Sequence, residues 1–399
     1  MMRCKMSKKI VAAQFDWPSF VYWGDKGIAG VTSKRKPEDL KLYLQRMKDT
    51  GIEKVYWRVS FAGPVGYYSK LEYSVRERRS DKRIDPEAGD LMVPEFADVM
   101  QYDFLKAGME FAAELGLEVH PWITPLYEGI HGSNFGGKFA GEHPEFWCKL
   151  ANGETLEWHP SLAYPEVREH QVAMVEEMVT CYGVKGVHLD FIRMTRSIFD
   201  LRDKAQASMM GYDAPLVEAF KNERGKDPAK VGNTNEEWLR FRAERTYTQF
   251  LRDLRARFGR ELEISVLLGD CGNLGGNLLD WHTWVKEGLV DTLCPVPTVS
   301  HNVFSYLDTA HMFKRFVGER VKVLEFIPVC DGGTGPCMNC GPDEWGTPPK
   351  PGFVLLDVEF ALQRGADGVL FWEADSFEIM DYWDAAAEIA RKVHQFGGR

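Results

Sequence analysis

Cysteine is scarce. Eight among 399 residues are too few for a disulfide scaffold. No apolar run approaches the roughly 18 residues of a membrane helix. The charged start, with Arg3, Lys5, Lys8 and Lys9, resembles the front of a secretory signal. The apolar run behind it is only about four residues, short of the usual apolar core. Basic charge is in deficit: 49 Lys and Arg against 59 Asp and Glu leave a net charge of −10. That excludes a general nucleic-acid binder, which needs a basic face to displace counterions. These absences point to a cytoplasmic protein with reduced thiols, and to neither a membrane nor a nucleic acid as partner.

What is present is an ordinary globular balance, 44% hydrophobic and 27% charged. Aromatics are abundant at 13%, with 12 Trp, which implies a large core or stacking surfaces. One pattern repeats: an amphipathic helix ends at a Gly and a β-rich run follows within a few residues. Pro37 opens the first helix. Leu40, Tyr43, Leu44 and Met47 form its apolar face, and Gly51 stops it. Later helices stop at Gly116, Gly183, Gly259, Gly288, Gly318, Gly365 and Gly397, where Gly supplies the left-handed turn back. The fourth starts at a capping box, Thr234-x-x-Glu237. The expected strands are 9–16, 54–61, 117–124, 186–192, 262–270, 290–297, 321–328 and 368–375.

Eight strands alternating with eight helices predict a parallel sheet closed as an α/β (β/α)8 TIM barrel. The competing open doubly wound sheet lacks support, because no G-x-G-x-x-G follows the first strand. Such a barrel takes about 250 residues. The surplus falls in long strand-to-helix loops at 62–102, 125–164, 194–234 and 329–351. The chain therefore reads as a single barrel with insertions on its C-terminal face, where barrel active sites are built.

Polar residues at strand ends mark that face: Gln14 and Asp16, Arg58 and Ser60, His120, Trp122 and Thr124, His188, Asp190 and Arg193, Asp270, Glu325, Glu373 and Asp375. Strand period two puts His188 and Asp190 on one face, as it does His120 and Trp122. Several carboxylates around one mouth suit glycosidic cleavage, which needs a nucleophile or base and a protonated acid. The candidates are Asp190 as nucleophile or base, with Glu325 or Glu373 as acid. Asp16, Arg58, His120, Trp122, His188, Arg193, Asp270 and Trp372 are the candidate substrate-binding residues. The plain alternative for any one carboxylate is a satisfied ion pair, such as Asp190 with Arg193 or Arg58.

Tyr67, Tyr68, Tyr73, Trp147, Trp158, Tyr164 and Trp345 lie in the long loops, where packing the loops onto the barrel competes with stacking on sugar. Trp122 and Trp372 adjoin candidate catalytic residues and are the better stacking surfaces. Cys330, Cys337 and Cys340, with Cys271, offer a thiolate set for a structural zinc; free thiols are the competing reading, and no other cofactor is expected. Cys148, Cys181 and Cys294 read as packing. His120, His188 and Asp190 form an alternative catalytic metal set.

The run Gly186-Val-His-Leu-Asp-Phe-Ile-Arg193, after a helix ending Tyr182-Gly-Val-Lys, resembles the fourth-strand motif of the glycosyl-hydrolase-like 10 family. So do Val55-Tyr-Trp-Arg-Val59, Glu142-His-Pro-Glu-Phe-Trp147, Asn152-Gly153 and Trp158-His-Pro-Ser-Leu162. The resemblance covers most of residues 10–395. It implies a (β/α)8 glycosidase-like protein, retaining or inverting, with a strand-end acid at Asp190 and a carbohydrate substrate. It leaves the partner acid open. In the large clan of retaining barrel glycosidases Glu ends strands four and seven, whereas here strand four carries Asp190. Two competitors remain on the same fold: a metal-dependent hydrolase or lyase, and a non-catalytic carbohydrate-binding barrel. Sugar, linkage and homo-oligomer formation are left open.

Overall fold

Ile10–Phe15 (β1) pairs in parallel with Lys54–Arg58 (β2) on one side and Gly368–Trp372 (β10) on the other, and this double pairing closes the sheet. The computed structural model describes residues 8–17, 37–60, 62–77, 102–129, 135–191, 210–268, 279–296, 309–329, 350–378 and 380–397. Around the barrel, β2 is followed by Glu118–Ile123 (β3), Gly186–Asp190 (β6), Glu263–Leu268 (β7), Thr292–Pro295 (β8), Lys322–Pro328 (β9) and β10. Every neighbouring pair is parallel. The fold is a (β/α)8 barrel.

The surrounding helices are α1 (Pro37–Asp49), α2 (Phe104–Leu115), α3 (Pro165–Tyr182), α4 (Gln249–Phe258), α5 (Trp281–Glu287), α6 (Thr309–Val317), α7 (Pro351–Gln363) and α8 (Trp383–Gly397). Helix α1 buries Leu40, Tyr43, Leu44 and Met47, the face its spacing predicts. Helix α4 is reached through Glu236–Ala243 and a π turn at Glu244–Thr248. The cap there is Asn235, whose side chain accepts from the Trp238 N–H, and not Thr234. Asn is at least as good a cap as Thr, and two acids, Glu236 and Glu237, still occupy the first turn. The last strand is shorter than expected: β10 ends at Trp372, and Asp375 lies in a 3-10 turn, Ala374–Ser376. The long loops hold small elements. The one after β3 carries the helix Lys138–Glu142 and an antiparallel hairpin, Trp147–Lys149 (β4) with Thr155–Pro160 (β5). The one after β6 carries the helices Ala214–Arg224 and Pro228–Val231.

Strand alternation sorts residues into two cores. Ala12, Tyr56, Trp122, Leu267, Cys294, Leu324, Phe326 and Leu370 pack together inside the barrel. Val11, Val55, Val187, Val266, Val323, Ile327 and Val369 face the helices. Gly186 starts the inward row of β6. A Cβ there would lie 2.3 Å from the His120 ring, so only Gly leaves room for that ring inside the barrel.

A buried acid pair ties two mouth-side loops together. Glu72, after β2, accepts from the N–H groups of Lys138 and Phe139, and the His170 ring lies 3.1 Å from it. Glu128, after β3, accepts from the Gln171 side chain at 2.7 Å. Burial and the Glu72 charge push the Glu128 carboxyl well above the usual range. A carboxyl that is easier to protonate folded than unfolded stabilises the fold at low pH and loses that contribution as pH rises. Glu128→Gln should therefore be more stable than the wild type above the ordinary carboxyl range of about 4.3. The difference should grow with pH until the folded group has ionised. Urea midpoints near pH 4 and pH 8 check this, and a variant no more stable at the higher pH would contradict it.

Candidate active site

The strand ends of β1, β2, β3, β6 and β10 are joined by one chain of contacts. Asp190, the last residue of β6, is 1% exposed, and its Oδ2 accepts from the Trp122 indole N–H at 3.0 Å. The Arg58 guanidinium lies over the Trp122 ring, 5.4 Å from its centroid. Arg58 donates to Asp16 Oδ2 at 2.8 Å and to the Ser60 carbonyl at 2.9 Å. The Asp16 N–H in turn donates to Asp375 Oδ1 at 3.0 Å. Asp375 is fully enclosed. Burial first, then the charges of Glu373 and Asp16, push its carboxyl well above the usual range. Its carboxyl is therefore easier to protonate than an ordinary aspartate. Glu373 itself is half-buried and directly follows Trp372.

Below this ring lies a second layer that does not reach the mouth. His188 is fully buried and stacks on Tyr56, with centroids 3.9 Å apart and planes 10° apart. Its Nε2 is 3.2 Å from Gln14 Nε2, and its Nδ1 is 2.9 Å from Ser265 Oγ. Burial drives its basicity well down. A neutral ring with its proton on Nδ1 accepts from Gln14 and donates to Ser265, whose hydroxyl donates to the Val187 carbonyl at 3.1 Å. His188 thus braces the interior, which corrects its expected role as a sugar ligand beside Asp190.

His120 is corrected likewise. Its Nε2 lies 2.7 Å from Glu118, the first residue of β3, so the ring points to the N-terminal floor. There Lys54 bridges Glu118 at 3.1 Å and Glu263 at 2.8 Å. The His120 hydrogen bond, with Lys54, pulls Glu118 down to about 2. Burial works to raise Glu263, but Lys54 and His120 outweigh it and hold it below the usual range. Among the described residues, Glu118, His120 and Glu263 are the one group spaced to ligate a metal, and the Lys54 ammonium already balances them. His120, His188 and Asp190 do not converge as a ligand set.

Glu325 lies on the wrong row of β9. Val323 and Ile327 share its parity and face the helices, while Leu324 and Phe326 face inward. Its Oε2 accepts from the Ala310 N–H, in the first turn of α6, at 3.1 Å. That is a stable place for a carboxylate, at the positive end of a helix, but it is outside the barrel. Arg193, Asp270, Trp345 and the thiols Cys271, Cys330, Cys337 and Cys340 lie outside the described residues. Cys148 and Cys294 are buried free thiols, as packing residues should be, whereas Cys181 is exposed.

Among the described aromatics at the strand ends, Trp372 has part of its surface open. Its ring centroid is 6.0 Å from Trp122 and 5.5 Å from Phe326. Tyr67 and Trp158 are buried, and Gly129 and Gly136 pack so closely on Trp158 that a Cβ at either would overlap its ring. Trp147 is half-buried against Trp158 at 5.5 Å, and Tyr164 packs on Phe146 at 5.0 Å. These four hold loops down, while Tyr68 is exposed. A small cavity of about 30 Å³, lined by Leu126, Cys148, His159, Ser161, Met210 and Tyr247, holds none of the mouth carboxylates.

Asp375 and the Asp16–Arg58 pair are the parts of the site that strand reading under-weighted. Asp375 was visible as a strand-end acid, but nothing local marks its burial. Removing Arg58 would leave Asp16 charged and buried. Arg58→Met should cost about 3–5 kcal/mol, the range for breaking a buried pair. Adding Asp16→Asn to that variant should recover much of the loss. Denaturant midpoints of the single and double variants measure this, and equal destabilisation of both would rule the pair out as the source.

The geometry can be set beside known proteins. A family model described as glycosyl hydrolase-like 10 matches residues 13–305, a stretch that includes Asp16, Arg58, Trp122 and Asp190 but stops short of Glu373. Glycosyl hydrolase YngK of Bacillus subtilis is 30% identical over 119 residues, 28% of this chain and 22% of that protein. An S-layer-related protein of Niallia circulans is 23% identical over 277 residues, 62% of this chain and 16% of that one. The chain thus spans less than a quarter of either relative. Among solved structures, the PgaB (BpsB) glycoside hydrolase domain of Bordetella bronchiseptica superposes with a TM-score of 0.62 at 11% identity, covering 96% of this chain and 99% of that one. The catalytic domain of a Paenibacillus polymyxa β-amylase gives 0.53 at 12% identity, with 96% and 99% covered. At such identities these two structures speak for the fold alone.

Proposed function

The chain belongs to the glycosyl hydrolase-like 10 family, and from that premise we propose that it is a glycoside hydrolase acting through Asp190 and Glu373. The observation that carries this reading is their placement. The strands that end in Asp190 and lead into Glu373, β6 and β10, are four steps apart in either direction around the eight-stranded ring. Carboxyls on opposite walls of one mouth can flank a glycosidic bond from its two sides.

In this reading Asp190, oriented by Trp122, attacks the anomeric carbon or takes a proton from an attacking water. Glu373 protonates the departing oxygen. That task needs an acid that still holds its proton at working pH. Trp372 supplies an apolar plane for the C–H face of a sugar ring.

A panel of aryl-glycosides and oligosaccharides tests the assignment. Asp190→Asn and Glu373→Gln should each lose about 10²–10⁴-fold in kcat, the usual weight of one acid or base, with unchanged circular dichroism. Glu325→Gln should turn over at close to the wild-type rate. Near-normal turnover by Asp190→Asn would overturn the proposal. So would saturable sugar binding by the wild type without product.

A further inference from the structure

We propose that Trp122 is a positioning residue, which fixes the Asp190 carboxylate from inside the barrel and does not offer its ring to a sugar. The inference rests on the reading of Asp190 as a reacting carboxylate, and it assigns Trp122 a role different from sugar stacking. Three observations carry it. The Trp122 side chain is fully buried, so no face is open for a sugar ring. Its one polar atom, the indole N–H, is a donor only, and it is spent on Asp190 Oδ2 at 3.0 Å. Its ring is held in place: Arg58 lies over it, anchored by Asp16, and Trp372 packs against it at 6.0 Å.

The strand register explains why the residue at this position can do this. Trp122 sits on the inward row of β3, level with Arg58 on β2 and with His188 on β6. Asp190 is the next inward residue above His188. A long side chain rising from position 122 therefore reaches the carboxylate at the rim of the neighbouring strand. A donor held rigid in this way restricts the rotamer of Asp190 and fixes the direction in which its other oxygen faces the mouth. The half-exposed Trp372 is left as the sugar-facing plane.

The bond is readable without any substrate. Ionising Asp190 changes the acceptor at the Trp122 N–H, so the near-UV difference spectrum of the full chain should contain an indole band that titrates with a single carboxyl. The band should vanish in Trp122→Phe and in Asp190→Asn, and persist in Trp372→Phe. Asp190→Asn keeps the shape of the side chain, so it gives a result even if Trp122→Phe folds poorly. Absence of the band in the wild type, or its persistence in Asp190→Asn, would overturn the proposal.

On a glycoside that the wild type hydrolyses, Trp122→Phe should lower kcat about tenfold or more with little change in KM. A rise in KM with kcat unchanged would likewise overturn the inference. If the band depends on both residues but no glycoside is cleaved, the hydrolase reading fails and the positioning contact stands.

Discussion

Closure of the sheet through β1 is the constraint on which the rest depends. Because β1 pairs with both β2 and β10, no strand of the barrel has an edge, and every barrel side chain must face either the interior or the helices. That choice is made once per strand and then alternates. It puts Trp122, His188 and Asp190 inside and Glu325 outside, although all four sit in similarly apolar stretches of sequence. It also brings the ends of non-adjacent segments, residues 16, 58, 122, 190 and 375, within reach of one another.

The interior divides the polar residues by depth. At the floor, Lys54 stands between Glu118 and Glu263, with His120 bonded to Glu118. In the middle, His188 is neutral between Gln14 and Ser265. At the rim, Arg58 pairs with Asp16, whose N–H donates to Asp375, while Asp190 accepts from Trp122. Buried polar groups are costly when unbonded, and the two lower layers are bonded only in part: Gln14 Oε1, Tyr56 Oη and His120 Nδ1 have no hydrogen-bond partner among the described residues. The rim differs in charge: burial, and then the charges of Glu373 and Asp16, push the Asp375 carboxyl well above the usual range. Such crowding of acids is costly for stability and useful for acid–base chemistry, which is why it marks the rim and not the floor as the candidate site.

The described parts of the loops after β2 and β3 pack on one another. The β4–β5 hairpin, the helix Lys138–Glu142 and the segment after β2 meet around Glu72, Glu128 and Trp158. The aromatics that sequence composition suggested as sugar platforms are mostly used for this internal packing. Among the described residues, the part-exposed groups left at the rim are Trp372 and Glu373.

Much of this was legible in the chain itself. Helix faces such as Leu40, Tyr43, Leu44 and Met47, Gly at helix ends and strict alternation determine an eight-unit barrel, because these are local signals of period and turn chemistry. The motif around Asp190 determines the family and one rim acid. Tertiary structure decided what local signals do not contain. Parity relative to a closed sheet removed Glu325, since alternation says which residues share a face but not which face is inside. Depth along the barrel axis turned His120 and His188 from ligands into interior braces. Burial and the proximity of distant acids singled out Asp375, and the reach of one indole across two strands joined Trp122 to Asp190. Those outcomes depend on distances between residues far apart in sequence, and only the closed barrel sets them.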